Sequence, residues 1–203
     1  MDEVRLGDAS VHVLAVVRGL PSEAPAVAKA IEFLRPDVVA VSIAPEEVDA
    51  LRAYTGGPAD PENFEEEIYV AGLSAWEEPV KPPPCFTEAV RRSDAAGVRV
   101  EGIDMDESTY TDAYTTCVSA MELVLRGRVE KRLGRRRFRA QTPQEFVLEW
   151  DSEVNHSVGF ARLQREREAH MARRIREISA AGRRVLAVIE MERTKGVLAA
   201  IRG

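Results

Sequence analysis

Two short apolar runs, separated by the length of one helix, constrain the fold of this chain more than any other feature. Val11–Val17 and Val38–Ile43 are continuous, β-branched and bounded by polar residues, which predicts buried strands. Between them, Ser22 is a candidate N-cap for a helix over Ala24–Leu34, and Pro36 follows the end of that helix. The segment therefore predicts a right-handed βαβ unit with both strands in one parallel sheet.

The rest of the chain continues the alternation of strands and helices. Apolar runs predict two further strands, Val98–Ile103 and Val185–Ile189. Helices are predicted between residues 45 and 56, between 61 and 76, and over Thr87–Ala96, Ser108–Leu133, Gln144–Trp150 and Phe160–Ala181. The segment EEPVKPPPCF, residues 77–86, predicts an extended connector on the surface. This order predicts a single α/β domain over residues 1–203, with a mostly parallel central sheet covered by helices and long C-terminal helices.

The charge balance and the cysteine content limit the classes of function. The 203-residue chain has a net charge of −6, so non-specific nucleic-acid binding is not expected. No apolar run has the length of a membrane span, and the N-terminal MDEVRLGD is acidic, unlike a signal or transit peptide. Cys85 and Cys117 are isolated from each other, which argues against a zinc site and a disulfide scaffold. We expect a soluble cytoplasmic protein with no cofactor and no membrane partner.

The surface composition leaves one question open. Charged residues make up 31% of the chain, and arginine greatly outnumbers lysine. A high content of charged residues is typical of thermophilic proteins, whose surfaces carry networks of ion pairs. A GC-rich genome enriches arginine as well, so both explanations stand at the level of sequence.

Candidate site residues follow the predicted strands, because ligands of open α/β sheets bind beyond the carboxyl ends of the strands. Arg18 follows the first strand, and Ser42 lies near the end of the second. Asp104 follows the third strand, and Glu190 and Arg193 follow the last. We therefore expect these side chains at one edge of the sheet.

Short motifs in a characteristic order give the chain a resemblance to a known superfamily. They are RPDVVAVSI at residues 35–43, REREAHMARRI at 165–175 and VLAVIEMERTKGV at 185–197. With these motifs the chain resembles the TraB/PrgY–Tiki–GumN superfamily, whose wider relatives include the erythromycin-esterase (EreA) and ChaN-like proteins. The resemblance implies an EreA/ChaN-like fold, and it assigns Arg167 to the arginine of the helical motif.

The resemblance also implies that the chemistry of the family is absent. Family members carry G-T-x-H after the first strand, a glutamate on the second and G-x-x-H after the last, and these are the implied catalytic and metal-binding groups. In this chain Arg18 and Arg193 occupy the two histidine positions, and Ser42 occupies the glutamate position. Arginine has no lone pair for a metal, and serine adds no charge. We therefore expect no metal and a non-catalytic protein.

Arg18, Arg167 and Arg193 leave several interpretations open. Convergent guanidinium groups bind carboxylates or phosphates bidentately, which predicts a small anionic ligand, and the same surface also suits a protein partner. The nearby acids Asp104, Glu190 and Glu192 would instead close the site as a structural ion-pair network. A further alternative is a hydrolase, of peptidase or esterase type, that uses these acids and arginines in a reassigned site.

The loop after the third strand adds two more acids to Asp104. The hydrolase alternative includes Asp106. In a second alternative, the carboxylates of Asp104, Asp106 and Glu107 form an oxygen-ligand site for Mg²⁺. Capping of the following helix by Asp106 or Ser108 is the simpler interpretation.

Two features point to larger partners. The basic run Arg126–Arg139, which contains Phe138, is typical of RNA-binding segments, although acidic segments elsewhere in the chain offer it internal partners. The acidic net charge does not favour nucleic acid as a partner. A stripe at helical spacing, made of Ala113, Cys117, Met121 and Val124, predicts either core packing or the seam of a homodimer.

Overall fold

A five-stranded sheet forms the centre of the protein in a computed structural model, which describes residues 1–57, 61, 63–180 and 182–203. Its strands are β1 (Asp2–Leu6), β2 (Ala9–Val16), β3 (Val38–Val41), β4 (Arg99–Gly102) and β5 (Arg184–Glu190). Their order is β1-β2-β5-β3-β4, with β1 antiparallel to β2 and the other pairs parallel. The predicted α/β class with a mostly parallel sheet is therefore confirmed.

Helices follow the strands in the predicted alternation. Over the described residues they are α1 (Glu23–Leu34), α2 (Pro45–Ala53), α3 (Phe64–Leu73), α4 (Pro84–Ala95), α5 (Glu107–Cys117), α6 (Ala120–Leu133), α7 (Pro143–Val154), α8 (Val158–Ser179) and α9 (Met191–Arg202). The predicted βαβ unit is β2-α1-β3, and β5 lies between its two strands. None of the described helices has the length and apolar character needed to cross a membrane. Two predicted helical segments reach Glu62 and Ala181, which lie outside the described residues.

Helices cover both faces of the sheet. On one face, α8 and α9 pack Met171, Ile175 and Ile201 against the strands. On the other face, α1, α2 and α4 pack side chains such as Ile31 and Phe86. Strand β3 is buried along its whole length, which explains its continuous apolar sequence.

A third apolar cluster lies beyond the carboxyl ends of the strands. It joins Val17, just after β2, to α3, α6 and α7 through Tyr69, Leu133, Phe146 and Trp150. An edge-to-face contact between Tyr69 and Trp150, with ring centroids 5.0 Å apart, connects α3 to α7. This cluster places α3 and α7 over the edge of the sheet where the candidate site residues meet.

Two elements were missed because their sequences carry weak patterns. The DEVRL sequence of strand β1 is polar apart from Val4 and Leu6, and Val4 is the residue that the strand buries. Its pairing with β2 completes a hairpin through Gly7, which has a positive φ of 61°. Helix α9 begins directly at the end of β5, and Gly196 interrupts its helical pattern.

The surface connector predicted at residues 77–86 is wrong at its end. Pro84 begins α4, where the missing N–H of proline costs no helical hydrogen bond. Cys85 and Phe86 are 0% exposed and belong to the core beneath β3. The run of three prolines therefore leads into a buried helix rather than along the surface.

The single long helix predicted over residues 108–133 is also wrong, because α5 and α6 are separate helices. Val118 between them has an extended backbone and packs against Phe160. The break divides the stripe predicted as a core or dimer seam. Its first two members, Ala113 and Cys117, pack against the same small cluster, whereas Met121 and Val124 are exposed.

Candidate functional site

The carboxyl ends of the parallel strands bring candidate residues to one edge of the sheet. Arg18 follows β2, Ser42 follows β3, Asp104 follows β4, and Glu190 is the last residue of β5. The parallel register of the four strands places these ends side by side. The remaining two predicted residues come from helices: Arg167 from α8 and Arg193 from α9.

Ser42 connects two neighbouring strand ends. Its hydroxyl accepts a hydrogen bond from the backbone N–H of Glu190 at 3.0 Å, and its own N–H donates to the carbonyl of Val188 at 3.1 Å. The side chain is buried. Ser42 therefore holds the end of β3 to the end of β5 and sets the backbone position of Glu190.

Arg18 is the most accessible of the three predicted arginines, with 36% of its side chain exposed. Its Nη1 lies 3.6 Å from Oε1 of Glu190, and its guanidinium lies 5.4 Å from the ring centroid of Tyr69. The Tyr69 hydroxyl donates to the Arg18 carbonyl at 2.9 Å. Burial disfavours the charge, but Glu190, Tyr69 and Glu192 outweigh it and raise the pKa of Arg18. Arg18 is therefore a cation fixed in orientation by its surroundings.

Arg167 is committed to Asp104. Its Nε lies 3.2 Å from Oδ2 of Asp104, its Nη2 bonds the same oxygen, and its Nη1 donates to Gln164 at 2.9 Å. Burial lowers the pKa of Arg167, but the charges of Asp104 and then Glu190 raise it above its ordinary value. The Asp104 carboxylate also accepts the N–H of Met105 at 2.8 Å, so both partners have most of their bonding capacity filled.

Arg193 lies deeper, with 4% of its side chain exposed. It forms an ion pair with Asp151 of α7 and another with Glu168 of α8, where Nη1 lies 3.0 Å from Oε1. Burial raises the pKa of both carboxyl groups, and Arg193 opposes that rise. A Cβ at Gly196 would overlap the Glu168 carboxylate, so this glycine leaves the space that the ion pair occupies.

The three arginines therefore differ in what they can still bind. Arg167 and Arg193 direct their guanidinium groups to carboxylates of the protein. The guanidinium of Arg18 makes no hydrogen bond to any residue in the described part of the chain, and its ion pair with Glu190 is long. Among the three arginines, Arg18 therefore still has N–H donors available to a ligand.

A pocket of about 750 Å³ lies next to Arg18. It is formed by the end of β2, by α2 and α3, and by the segment that precedes α4. Arg18 contributes a cation, Tyr54 and Val80 contribute exposed apolar surface, and the buried rings of Tyr69, Phe86 and Trp150 lie behind it. Among the six predicted site residues, Arg18 is the one found in the described lining, while the other five lie behind it or to its side.

Three of the four acids in the described lining, all except Glu78, have a partner or carry less charge. Glu66 lies 3.1 Å from Nζ of Lys81, and Glu65 lies 2.5 Å from Nη2 of Arg126. Burial raises the pKa of Glu47, whose carboxylate accepts the N–H of Ala44 at 2.8 Å. The described lining holds four carboxyl groups and two cations, Arg18 and Lys81, so the N–H donors of Arg18 rather than a net positive charge would hold an anion.

Glu192 is one of the acids that the sequence places after the last strand. It is the second residue of α9, two positions after Glu190, and its Oε2 is buried without a hydrogen-bond partner in the described part of the structure. Burial, followed by the charge of Glu190, raises its pKa to about 7. Its environment comes from the ends of β2 and β5 together, which a linear pattern does not reveal.

Glu192 is expected to make stability depend on pH near neutrality. A carboxyl group with a raised folded pKa binds more protons in the folded than in the unfolded protein, so its contribution weakens as pH rises from its ordinary value of 4.5 through about 7. Urea unfolding of Glu192→Gln should therefore show a free energy of unfolding that exceeds the wild-type value increasingly, by about 1–3 kcal/mol, as pH rises.

The matched control for this measurement is Glu67→Gln, since Glu67 is exposed on α3. Its difference from the wild type should stay constant across the same pH range. A constant difference for Glu192→Gln as well would contradict the raised pKa.

The other candidates have structural positions. Asp106 is the N-cap of α5 and accepts the N–H of Thr109 at 2.7 Å, as the simpler interpretation predicted.

Both cysteines are free, and burial raises the pKa of the Cys85 thiol to about 12, which makes it a poor nucleophile. No group of three or more metal-ligating side chains is found in the described residues. The hydrolase alternative stays a prediction.

Comparison with known proteins assigns no function to the chain, so the functional interpretation depends on the geometry of the site. No family model matches the chain, and no curated protein matches it. The features that carry a functional argument are consequently Arg18, the pocket beside it and the charges behind it.

Proposed function

We propose that this chain is a non-catalytic, TraB/Tiki-like protein with an EreA/ChaN-like fold that binds a small anionic ligand through Arg18. The observation that carries the proposal is the guanidinium of Arg18, which lines a pocket of about 750 Å³ without a hydrogen bond to the described residues. A carboxylate or a phosphate is the group that a guanidinium binds with two parallel hydrogen bonds. The ligand class is therefore a carboxylate or phosphate with an apolar or aromatic body.

The surroundings of Arg18 suit binding more than chemistry. Tyr69 below the guanidinium and Glu190 beside it limit its rotation, so less side-chain entropy is lost when an anion binds. Tyr54 and Val80 provide exposed apolar contact area in the same pocket. Ser42 and Arg193, which stand at family catalytic positions in the resemblance, are buried and bonded within the protein. These positions support a scaffold that has lost the metal chemistry of its relatives.

The remaining predictions about context belong to the same proposal. We propose a single TraB-like domain over residues 1–203, in a cytoplasmic protein. Free thiols at Cys85 and Cys117 fit a reducing compartment. A homodimer remains the predicted assembly, and the exposed side chains of Met121 and Val124 are the apolar surface that supports it.

Isothermal titration with phenyl phosphate and with benzoate tests the role of Arg18. We expect the wild type to bind at least one of the two anions, and Arg18→Ala to lose about tenfold or more in affinity, because a hydrogen bond to a charged group contributes about 1.5–3 kcal/mol. Arg18→Lys should lose part of the affinity, since lysine keeps the charge but not the planar pair of donors.

The control variant is Arg5→Ala, which removes an exposed arginine from β1. It should bind as the wild type does, and circular dichroism should show that all variants are folded. The proposal is overturned if neither anion binds the wild type, or if Arg18→Ala binds both anions with unchanged affinity.

A further inference from the structure

The segment after the middle of α6 forms a second site of opposite character to the chain as a whole. Residues 126–139 contain eight basic residues and one acidic residue, in a protein with a net charge of −6. Five of these side chains line one open depression in the surface, with a volume of about 500 Å³. They are Arg128, Lys131, Arg132, Arg135 and Arg136, and together they are called the basic concavity below.

Packing orients the basic concavity toward solvent. Leu133 is buried, and Val129 packs beside it, in the apolar cluster beyond the strand ends. These two residues fix the inner face of α6. Arg128 and Lys131, three residues apart on α6, are exposed, and so is Arg135 in the turn that follows α6.

Two members of the basic concavity are held in place by α7. Nη2 of Arg136 lies 3.0 Å from Glu149, and its Nη1 lies 3.0 Å from Glu153. Arg132 reaches the same Glu153 at 3.4 Å. These acids neutralise part of the local positive charge and hold the side chains of Arg132 and Arg136 in place.

The other three members have no such partners. Arg128, Lys131 and Arg135 are exposed, and none of them has an ion pair or a side-chain hydrogen bond within the described part of the chain. Like charges three and four residues apart on a helix repel one another. An external polyanion would relieve this repulsion. Within the described part of the chain, the acidic segments proposed as internal partners reach Arg126 through Glu65.

We propose that the basic concavity binds the phosphate backbone of a single-stranded nucleic acid. Several cations converge on one concave surface and continue along the chain to Arg137 and Arg139, which matches a flexible chain of phosphates better than one small anion. The site is separate from the pocket beside Arg18.

Fluorescence anisotropy with labelled oligouridylate and oligothymidylate tests the proposal. We expect binding that is insensitive to base identity and weakens roughly 50-fold between about 50 and about 200 mM salt, as for about four phosphate contacts. The variant Arg128→Gln/Lys131→Gln/Arg135→Gln should bind about tenfold more weakly or worse at low salt. Its slope of log affinity against log salt concentration should be shallower by about 2.

The control removes the same charge from α8, through Arg162→Gln/Arg165→Gln/Arg173→Gln, because these three side chains are exposed and do not line the basic concavity. It should keep the wild-type affinity within about twofold and the wild-type salt slope. All of the exchanged residues are exposed, so both variants should fold.

Four results would overturn the proposal. They are no oligonucleotide binding at low salt, equal losses in the two triple variants, equal competition by inorganic triphosphate at matched phosphate concentration, and binding of vesicles with anionic lipid in place of oligonucleotide. The third result would assign the concavity to a small phosphorylated ligand, and the last would assign it to a membrane surface.

Discussion

Replacing Arg193 with alanine is expected to destabilise the folded protein by about 3–5 kcal/mol, because it leaves a buried ion-pair group without its cation. Arg193 is 4% exposed and is paired with both Asp151 and Glu168. Without it, two carboxyl groups from different helices would face each other in a poorly hydrated space. Urea unfolding at neutral pH measures the loss as a shift of the midpoint.

Two further variants separate charge from packing. Arg5→Ala removes an exposed ion pair with Glu3 and should change stability by less than about 1 kcal/mol. Adding Asp151→Asn and Glu168→Gln to Arg193→Ala should restore part of the lost stability, because the amides carry no charge to leave unpaired. If the triple variant is as unstable as Arg193→Ala, lost packing rather than charge is the cause.

Phe86→Ala is expected to cost about 3–5 kcal/mol as well, through a different mechanism. Phe86 is 0% exposed in the cluster that joins α4 to β3, and its removal would leave a cavity that rigid neighbours cannot fill. The same side chain also borders the pocket beside Arg18, so the variant tests whether that wall belongs to the core. Chemical denaturation monitored by far-UV circular dichroism gives the difference.

Phe33→Ala is the matched control, because it makes the same exchange on a helix of the same layer. Phe33 is 83% exposed on α1, so its removal should change the free energy of unfolding by less than about 0.5 kcal/mol. A small effect at Phe86 would mean that the segment from residue 77 is an exposed connector throughout, as its prolines suggested.

The predicted site illustrates which relations a sequence encodes. The positions of Arg18, Ser42, Asp104 and Glu190 at strand ends could be predicted, because each follows a run of apolar residues and parallel strands end at one edge. Their partners could not be predicted. Arg193 binds acids of α7 and α8 that lie 42 and 25 residues away in the chain, and no local pattern links them.

The difference among the three arginines also arises in three dimensions. Arg18, Arg167 and Arg193 look equivalent in a linear sequence that is rich in arginine throughout. Only Arg18 among them lines the described pocket, because Tyr69 of α3 turns its guanidinium toward that side. The pocket itself comes from elements separated by many residues, so it has no sequence signature.

By itself, the sequence determined the class of the fold, through apolar runs whose length and order require buried parallel strands connected by helices. It also determined that imidazole is absent from the ends of β2 and β5, where Arg18 and Arg193 stand. Tertiary structure alone decided the insertion of β5 between β2 and β3, the burial of Phe86 and the pairing of each arginine. The physical reason is that periodicity reports which face of an element is apolar, whereas partner choice depends on contacts between residues far apart in the chain.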